Sequence, residues 1–246
     1  MAILVTGGTK GIGLEIGCRF AKPGSDVFLN YHADETAAEH ARARVEALGA
    51  RCTLVRGDVG TPAGAQAVLA AVAAVTDRLD QLVHCAVKVL PAPILEVDPV
   101  ALTQAINLNG TAIVYLVQAA RPLLRRGSSV FFLSSRGGRL PIANYAAVGA
   151  GKAVAESLVR YLAMELAPLG VRANCVAPSA VDTDALRQVY GPQTDEMLKK
   201  SALANPSGRN VEHDDYCSLI EFLASPAAQM IQGQVIFVNG GAYLAA

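Results

Sequence analysis

The sequence predicts a single α/β domain in which a parallel sheet of about seven strands carries helices on both faces. Three observations predict this class. Short runs of β-branched and apolar residues alternate with longer Ala-rich runs, which is the pattern of β-α-β units. A glycine-rich turn follows the first apolar run directly. The length of 246 residues suits one doubly wound domain, because such domains often exceed the average of about 150 residues.

Seven runs have the composition of strands that are buried on both faces. Strands of a parallel sheet are covered by helices above and below, so they are almost continuously apolar rather than alternating. Each run holds four to six residues, which is an ordinary strand length. The predicted strands are residues 3–6, 26–30, 52–56, 81–85, 129–134, 172–176 and 235–238.

Helix boundaries are marked between these strands. Thr61 and Pro62 give an N-cap and a proline at the first helical position, which predicts the start of a helix. Gly49 predicts the end of the preceding helix. Residues 145–166 carry a long helical pattern that ends before Pro168. These helices supply the two layers that cover the sheet.

Residues 184–212 differ from the rest of the chain. The segment contains Gly191 and Pro192 among mixed polar residues, and it follows the sixth predicted strand. A long segment at the carboxyl end of a parallel strand is a candidate lid or substrate loop, and an ordinary surface excursion is the alternative. With no repeat, linker or charge block elsewhere, we assign residues 1–246 to one domain.

Composition excludes several classes of protein. The chain is 52% hydrophobic and 17% charged, unlike a disordered chain. Its 21 basic side chains balance 21 acidic ones, so we expect binding neither to nucleic acid nor to a membrane surface. Five cysteines without C-x-x-C spacing argue against a disulfide framework and a metal site. We see no apolar stretch near the roughly 20 residues of a membrane span and no room for a signal peptide, and we expect a cytoplasmic protein.

The turn after the first predicted strand is a candidate pyrophosphate site. Glycines allow the backbone to turn tightly and to approach the ligand, whose charge is received by N–H groups at the start of the next helix. The spacing is Gly-x-x-x-Gly-x-Gly, so the position between a strand and a helix carries the argument, and a purely structural turn is the alternative. The candidate residues are Gly7, Thr9, Lys10, Gly11, Ile12 and Gly13.

The end of the second predicted strand indicates which dinucleotide binds. An acidic residue there would bond a ribose 2′-hydroxyl and repel a 2′-phosphate. The chain instead reads Asn30-Tyr31-His32 with no acid before Asp34, and Lys10 could add positive charge. These residues predict NADPH rather than NADH as the cofactor.

Motifs distributed along the chain form one set. Asp58-Val59, after the third predicted strand, could bond an adenine amino group, and an ordinary strand-end turn is the alternative. The full set is the glycine turn, Asp58-Val59, Asn107 in Asn-Leu-Asn-Gly, Ser134-Ser135, Lys152 and the closing Val238-Asn239-Gly240-Gly241. Over residues 3–241 this set resembles the short-chain dehydrogenase/reductase family. The resemblance implies a one-domain Rossmann-type oxidoreductase, usually a homodimer or a homotetramer.

One departure from the family pattern decides the expected reaction. Most members have a catalytic Ser, a Tyr thirteen positions later and a Lys four positions after that. Counted from Ser135, these positions hold Val148 and Lys152, but Tyr145 lies three residues before Val148. The resulting Tyr-x6-Lys spacing is similar to that of enoyl-acyl-carrier-protein reductases, and the chain looks most like their shorter, bacterial third type. If Tyr145 is helical, it shares a face with Lys152, because seven steps of about 100° nearly complete two turns.

The displaced phenol suits conjugate reduction. In a ketone, hydride arrives at the carbon that bears the oxygen, whereas in an enoyl thioester it arrives at the β-carbon and charge collects on the remote carbonyl oxygen. We therefore predict NADPH-dependent reduction of the C=C bond of a trans-2-enoyl thioester, carried by acyl carrier protein or CoA, in fatty acid biosynthesis or a specialised pathway. Tyr145 would stabilise the enolate, and Lys152 would bind the nicotinamide ribose.

Several assignments are left with alternatives. Ser135 is a catalytic candidate or a residue that only lines the pocket. Asn107 is a candidate for the cofactor site or a structural residue, Thr183 is a candidate contact of the nicotinamide carboxamide, and His84 is expected to be a core histidine. The competing functions are a ketoreductase or alcohol dehydrogenase in which Tyr145 serves as the usual tyrosine, and a catalytically inactive NADP-binding protein.

Overall fold

All seven predicted strands form, and they lie in one parallel sheet. The computed structural model describes residues 1–244, so the last two residues of the predicted domain lie outside the described residues. The strands are β1 (Ala2–Thr6), β2 (Asp26–Tyr31), β3 (Arg51–Arg56), β4 (Leu79–His84), β5 (Leu124–Leu133), β6 (Arg172–Pro178) and β7 (Val235–Val238). Their order, β3-β2-β1-β4-β5-β6-β7, reverses beside β1. A reversal of this kind opens a crevice at the carboxyl ends of the strands.

Nine α-helices form in the described part of the chain. They are α1 (Gly11–Phe20), α2 (Glu35–Glu46), α3 (Pro62–Ala73), α4 (Pro99–Ile106), α5 (Ala112–Ala120), α6 (Ala146–Leu166), α7 (Asp184–Tyr190), α8 (Thr194–Ala204) and α9 (His213–Ala224). The predicted start of α3 is confirmed, because the Thr61 hydroxyl accepts a hydrogen bond from the Gly64 N–H. The predicted start of α6 is wrong by one residue, because Tyr145 precedes the helix.

Two apolar layers separate the sheet from its helices. Successive side chains of a strand point to opposite faces, and Leu4 in β1 packs on one face while Ile3 and Val5 pack on the other. Side chains of α3, α5 and α6 cover the first face, and those of α1, α2 and α9 cover the second. Phe131 and Phe132 are fully buried in opposite layers, and each stabilises the fold by about 1.5–3 kcal/mol. Both faces of the strands are therefore apolar because both are covered.

One helical segment corrects the expectation about membrane spans. α4, a widened π-helical turn (Asn107–Thr111) and α5 run on as one segment, Pro99–Ala120, of 22 residues. Its most apolar window has a mean hydropathy of 1.4, which by length and composition alone would let it cross a membrane. However, 39% of that window is buried inside the domain, where α5 packs against α3 and α6. Core helices of globular domains pass the same test, so the segment is weak evidence for a span.

The segment 184–212 is more regular than its composition suggests. Thr183 caps α7 by accepting a hydrogen bond from the Leu186 N–H at 3.2 Å. α8 follows after the short turn Gly191–Gln193. Both helices border the crevice at the carboxyl ends of the strands. The segment therefore has the position expected of a substrate element, and its movement as a lid stays a prediction.

Candidate active site

A cleft of about 780 Å³ lies at the carboxyl ends of the strands, where the strand order reverses. Its walls come from the turn after β1, from the segments after β2, β4, β5 and β6, and from α7 and α8. The predicted site residues that border it are Gly7, Thr9, Lys10, Gly11, Ile12, Tyr31, His32, Ser135, Tyr145, Lys152 and Thr183. The other predicted residues lie outside its lining, and they are Gly13, Asn30, Asp58, Val59 and Asn107.

The turn between β1 and α1 can bind an anion. Gly7 has a φ of 61°, and a Cβ at this position would lie 2.7 Å from the Cα of Ala86. A Cβ at Gly13 would lie 2.3 Å from the Gly7 oxygen, so Gly13 closes the turn rather than lining the cleft. Within residues 1–244 no side chain caps the first turn of α1, and that turn holds no carboxylate. Its unpaired N–H groups and the helix dipole therefore suit a pyrophosphate.

One predicted cofactor contact is corrected by its surroundings. The buried Asn30 amide donates to the carbonyl oxygens of Val55 and Gly57, both at 3.0 Å, so it ties β2 to β3 instead of reaching a ribose. Asp58 is exposed and accepts a hydrogen bond at 2.9 Å from an N–H of its own turn, while Val59 is only 2% exposed and packs in the core. The carboxylate keeps further acceptor positions, so its contact with an adenine amino group stays a prediction, and an ordinary strand-end turn stays the alternative.

Asp34 is an acid at the wall where a ribose phosphate was expected. It borders the cleft together with Tyr31 and His32. Its carboxylate forms an ion pair with the Lys10 ammonium and caps α2 by accepting from the Ala37 N–H at 3.0 Å. The hydrogen bond from Lys10 holds the pKa of Asp34 below its usual range. The Lys10 ammonium that was expected to favour a 2′-phosphate is therefore partly neutralised by the Asp34 carboxylate.

The asparagine that joins the cleft walls is Asn109, not Asn107. Asn109 is fully buried. Its amide oxygen accepts from the Lys88 N–H at 2.8 Å, and its amide nitrogen donates to the carbonyl oxygens of Lys88 and Ala147 at 2.8 and 3.1 Å. The segment after β4 is thereby tied to the start of α6. The Asn107 carbonyl instead accepts from the Thr111 hydroxyl at 3.1 Å, inside the π turn.

His84 is a structural link, as expected for a core histidine. Its ring is fully buried. Since a carbonyl oxygen can only accept, Nε2 donates to the Leu108 oxygen at 2.9 Å, and Nδ1 accepts from the Thr6 hydroxyl at 2.6 Å. Burial and, to a smaller extent, the charge of Lys152 lower the pKa of His84 to about 3. The neutral ring thus connects β1, β4 and the π turn.

Tyr145 borders the cleft beside Ser135. It is the N-cap residue of α6, and the preceding Asn144 has a φ of 58°, a left-handed conformation that is uncommon outside glycine. This bend, rather than a shared helix face, brings the phenol to the cleft. Burial raises the pKa of Tyr145, and the neighbouring Ser135 side chain partly opposes the rise. The phenol is therefore protonated at neutral pH and can donate a hydrogen bond.

Lys152 reaches the cleft from the buried side of α6. The residue is 5% exposed, and its Nζ lies 4.6 Å from the centre of the Phe132 ring, a cation–π contact. Burial lowers the pKa of Lys152 to about 8. The side chain is therefore charged at neutral pH, but it loses the proton far more readily than a lysine in water.

Comparisons with known proteins bear on the family and the fold of this chain. A family model described as "Enoyl-(Acyl carrier protein) reductase" matches residues 7–243. A solved short chain dehydrogenase from Burkholderia cenocepacia J2315, in complex with NADP, matches with a TM-score of 0.87 and 28% identity, over 98% of this chain and 96% of the other. The chain belongs to the short-chain dehydrogenase/reductase family.

This short-chain dehydrogenase/reductase has curated relatives with different substrates. It is 32% identical to 1-cyclohexenylcarbonyl-CoA reductase of Streptomyces collinus, over 97% of this chain and 85% of that protein. It is 31% identical to L-rhamnose 1-dehydrogenase (NAD(P)(+)) of Sphingomonas sp. (strain SKA58), over 98% and 96% of the two chains. The predicted family and fold are confirmed, and the protein is an oxidoreductase of this family with a nicotinamide cofactor.

Several cleft residues of this short-chain dehydrogenase/reductase were missed by the sequence reasoning. Examples are Cys85, Val87, Arg136, Leu186, Tyr190 and Met197. Three of these directly follow β4 or β5, so the rule that ligands bind at the carboxyl ends of parallel strands could have found them. The other three lie on α7 and α8, whose helical form the glycines and prolines of the segment concealed.

Proposed function

We propose that this protein reduces the C=C bond of a trans-2-enoyl thioester with NADPH. One observation carries the proposal. The phenol of Tyr145 borders the cleft, while the position thirteen residues after Ser135 holds Val148, which cannot donate a proton. The resemblance to a cyclohexenylcarbonyl-CoA reductase over nearly the whole chain supports the same reaction.

Tyr145 and Lys152 have different roles in the proposed reaction. When bound, NADPH supplies the hydride to the β-carbon. Tyr145 donates a hydrogen bond to the thioester oxygen as negative charge collects there, and a positioned donor of this kind is usually the largest stabilising contribution. The Lys152 ammonium holds the nicotinamide ribose and keeps positive charge near the phenol. Leu186, Val189 and Met197 give the cleft an apolar wall that suits the hydrocarbon part of an enoyl group.

Tyr145→Phe tests the assignment. Loss of an enolate-stabilising donor costs about 10²–10³ in kcat, and we expect that loss with NADPH binding unchanged. Tyr161→Phe is the matched control, because Tyr161 is 62% exposed on α6 and outside the cleft lining. Turnover would be followed by NADPH absorbance with trans-2-enoyl thioesters on acyl carrier protein and on CoA. Near-native turnover of the Tyr145 variant would eliminate the role proposed for the phenol.

NADPH is the proposed form of the cofactor, and a homodimer or homotetramer is the proposed assembly. Lys10 at the cleft wall and the NADP bound by the Burkholderia relative support the choice of NADPH. The ion pair between Lys10 and Asp34 acts against it. The choice of NADPH is tested by comparing catalytic efficiency with NADPH and with NADH. A tenfold or greater preference for NADH would reject NADPH as the proposed cofactor.

Carbonyl reduction is the second candidate function. Ser135 and Tyr145 both border the cleft, as the binding of a ketone oxygen by two hydroxyl groups would require, and one relative is a sugar dehydrogenase. A 3-ketoacyl thioester offered beside the matching trans-2-enoyl thioester separates the two functions. Oxidation of NADPH only with the ketone would favour the second candidate.

A further inference from the structure

A buried carboxylate lies on α6 one turn beyond Lys152. Glu156 is 5% exposed. One of its oxygens accepts a hydrogen bond from the Ser134 hydroxyl at 2.6 Å, and the other accepts from Nε of Arg139 at 3.2 Å. A buried ion is unfavourable unless it is paired and hydrogen-bonded, and here both oxygens are occupied. The carboxylate therefore has a donor for each oxygen inside the protein.

The two partners of Glu156 lie on the segment that follows β5. Ser134 comes directly after β5 and borders the cleft beside Ser135. Arg139 covers the Glu156 carboxylate from outside and also lies over the Phe237 ring, 4.9 Å from its centre. A Cβ at Gly138 would lie 3.2 Å both from a Glu156 oxygen and from the Lys152 Cβ, so one short segment packs on both side chains.

The remaining ionisable groups around Lys152 are uncharged at neutral pH. Burial raises the pKa of Cys85, at the end of β4, to about 11, and it raises the pKa of Cys175 in β6 further. His84 in β4 is neutral because its pKa is about 3, and the β5 side chain that faces Lys152 is the Phe132 ring. Of the acidic groups that act on Lys152 among residues 1–244, Glu156 alone then carries a charge.

We propose that Glu156 is a positioning residue whose buried carboxylate, held by Ser134 and Arg139 beside Lys152, keeps the Lys152 ammonium charged. Arg139 moderates this effect, because its own positive charge offsets part of the negative charge of Glu156. The proposal rests on the proposed function only for the use made of Lys152, since the charge of Lys152 can be measured without turnover.

Two substitutions at this ion pair shift the titration of Lys152 in opposite directions. The pKa of Lys152 is about 8. Glu156→Gln removes the attracting charge, so the midpoint falls. Arg139→Gln removes a repelling charge and leaves the carboxylate, so the midpoint rises. A residue that served only to pack the helix would not produce shifts of opposite sign.

The experiment is a pH titration by NMR of protein labelled with ¹³C at the lysine Cε. Lys152 is assigned by the resonance that is lost in Lys152→Arg, and its midpoint is compared in the wild type, Glu156→Gln, Arg139→Gln and the rescue variant Glu156→Asp. NADPH dissociation constants are measured over the same pH range by fluorescence. We expect the midpoint to fall in Glu156→Gln, to return towards the wild-type value in Glu156→Asp and to rise in Arg139→Gln.

Two results would overturn the proposal: a Lys152 midpoint that is unchanged in folded Glu156→Gln, or a midpoint that moves the same way in the Gln variants of both residues. If Glu156→Gln does not fold, Arg139→Gln alone decides. A rise of the Lys152 midpoint supports the proposal, and an unchanged or lower midpoint overturns it. Opposite shifts in a protein that reduces no enoyl thioester would reject the proposed function and keep this inference. Unchanged midpoints in a protein that reduces enoyl thioesters would reject this inference and keep the proposed function.

Discussion

Gly137→Ala tests whether the place of the Tyr145 phenol is set by a glycine. An added Cβ would lie 2.6 Å from Cε1 and 2.7 Å from Cδ1 of the Tyr145 ring. Gly137 is not among the residues with positive φ, so its backbone accepts alanine and the conflict lies with the ring. Carbon atoms pack at about 3.5–4.0 Å, so the ring must move by about 1 Å to restore a normal contact.

The size of the effect follows from that displacement. A catalytic group that is misplaced by 1 Å can lose about 10²-fold in rate, so we expect kcat for the enoyl thioester to fall by about that factor. The overpacked variant should also lose about 1–3 kcal/mol of stability. NADPH binding should change little, because the phosphate turn lies on another element.

The assay separates a moved phenol from a loosened fold. Steady-state turnover, NADPH binding and urea unfolding are measured for the wild type, Gly137→Ala and Gly17→Ala. Gly17 is the matched control, because a Cβ there would lie 2.9 Å from Cδ2 of Leu29, away from the cleft. We expect the control to lose stability and to keep its turnover. A folded Gly137→Ala protein with turnover within threefold of the wild type would refute the reasoning.

Three further predictions concern charge and hydrogen bonding. Asp34→Asn frees Lys10 from its ion pair, so the preference for NADPH over NADH should rise by about tenfold, measured as the ratio of catalytic efficiencies; an unchanged ratio would contradict it. His84→Ala removes the acceptor of the Thr6 O–H and the side-chain donor to the Leu108 carbonyl oxygen and leaves a cavity, so urea unfolding should show a loss of about 2–5 kcal/mol; a loss below about 1 kcal/mol would argue against the link. The pKa of Lys152 is about 8, so its ammonium is present below that pH and is lost above it. Turnover and NADPH affinity should therefore fall as the pH rises through about 8. Profiles of both quantities that stay flat to about pH 9.5 would exclude a role for the Lys152 charge.

The strands and the phosphate turn could be predicted from the sequence because their causes are local. A strand covered on both faces is a continuous apolar run, and the first glycine turn is adjacent to such a run in the chain. The exchange of Asn107 for Asn109 could not be foreseen, because the π turn changes which of the two residues points inward. The left-handed conformation of Asn144, which directly precedes Tyr145, likewise leaves no mark in the spacing of the motif.

The hydrogen bonds of Asp34 show the same limit at the cofactor wall. The sequence places this residue beyond the usual ribose-binding position, yet the turn that caps α2 brings its carboxylate back to Lys10. Such a pairing depends on where two separate turns meet. The resemblance to a family could supply the roles of Lys152 and Tyr145, but not the charges that surround them.

The π turn also determines how this enzyme would tolerate a change in length. The turn accommodates one residue more than a regular helical turn, because its residues advance by a smaller angle than those of an α-helix. Deleting a single residue there would convert the turn to ordinary helix and leave the inward faces of α4 and α5 nearly unrotated, so Ile113 and Leu116 would keep their places against the sheet. The loss would fall on the turn itself, where Asn109 holds the Lys88 peptide. A one-residue deletion at this point would therefore alter the geometry of the cleft while the core layer stays in place.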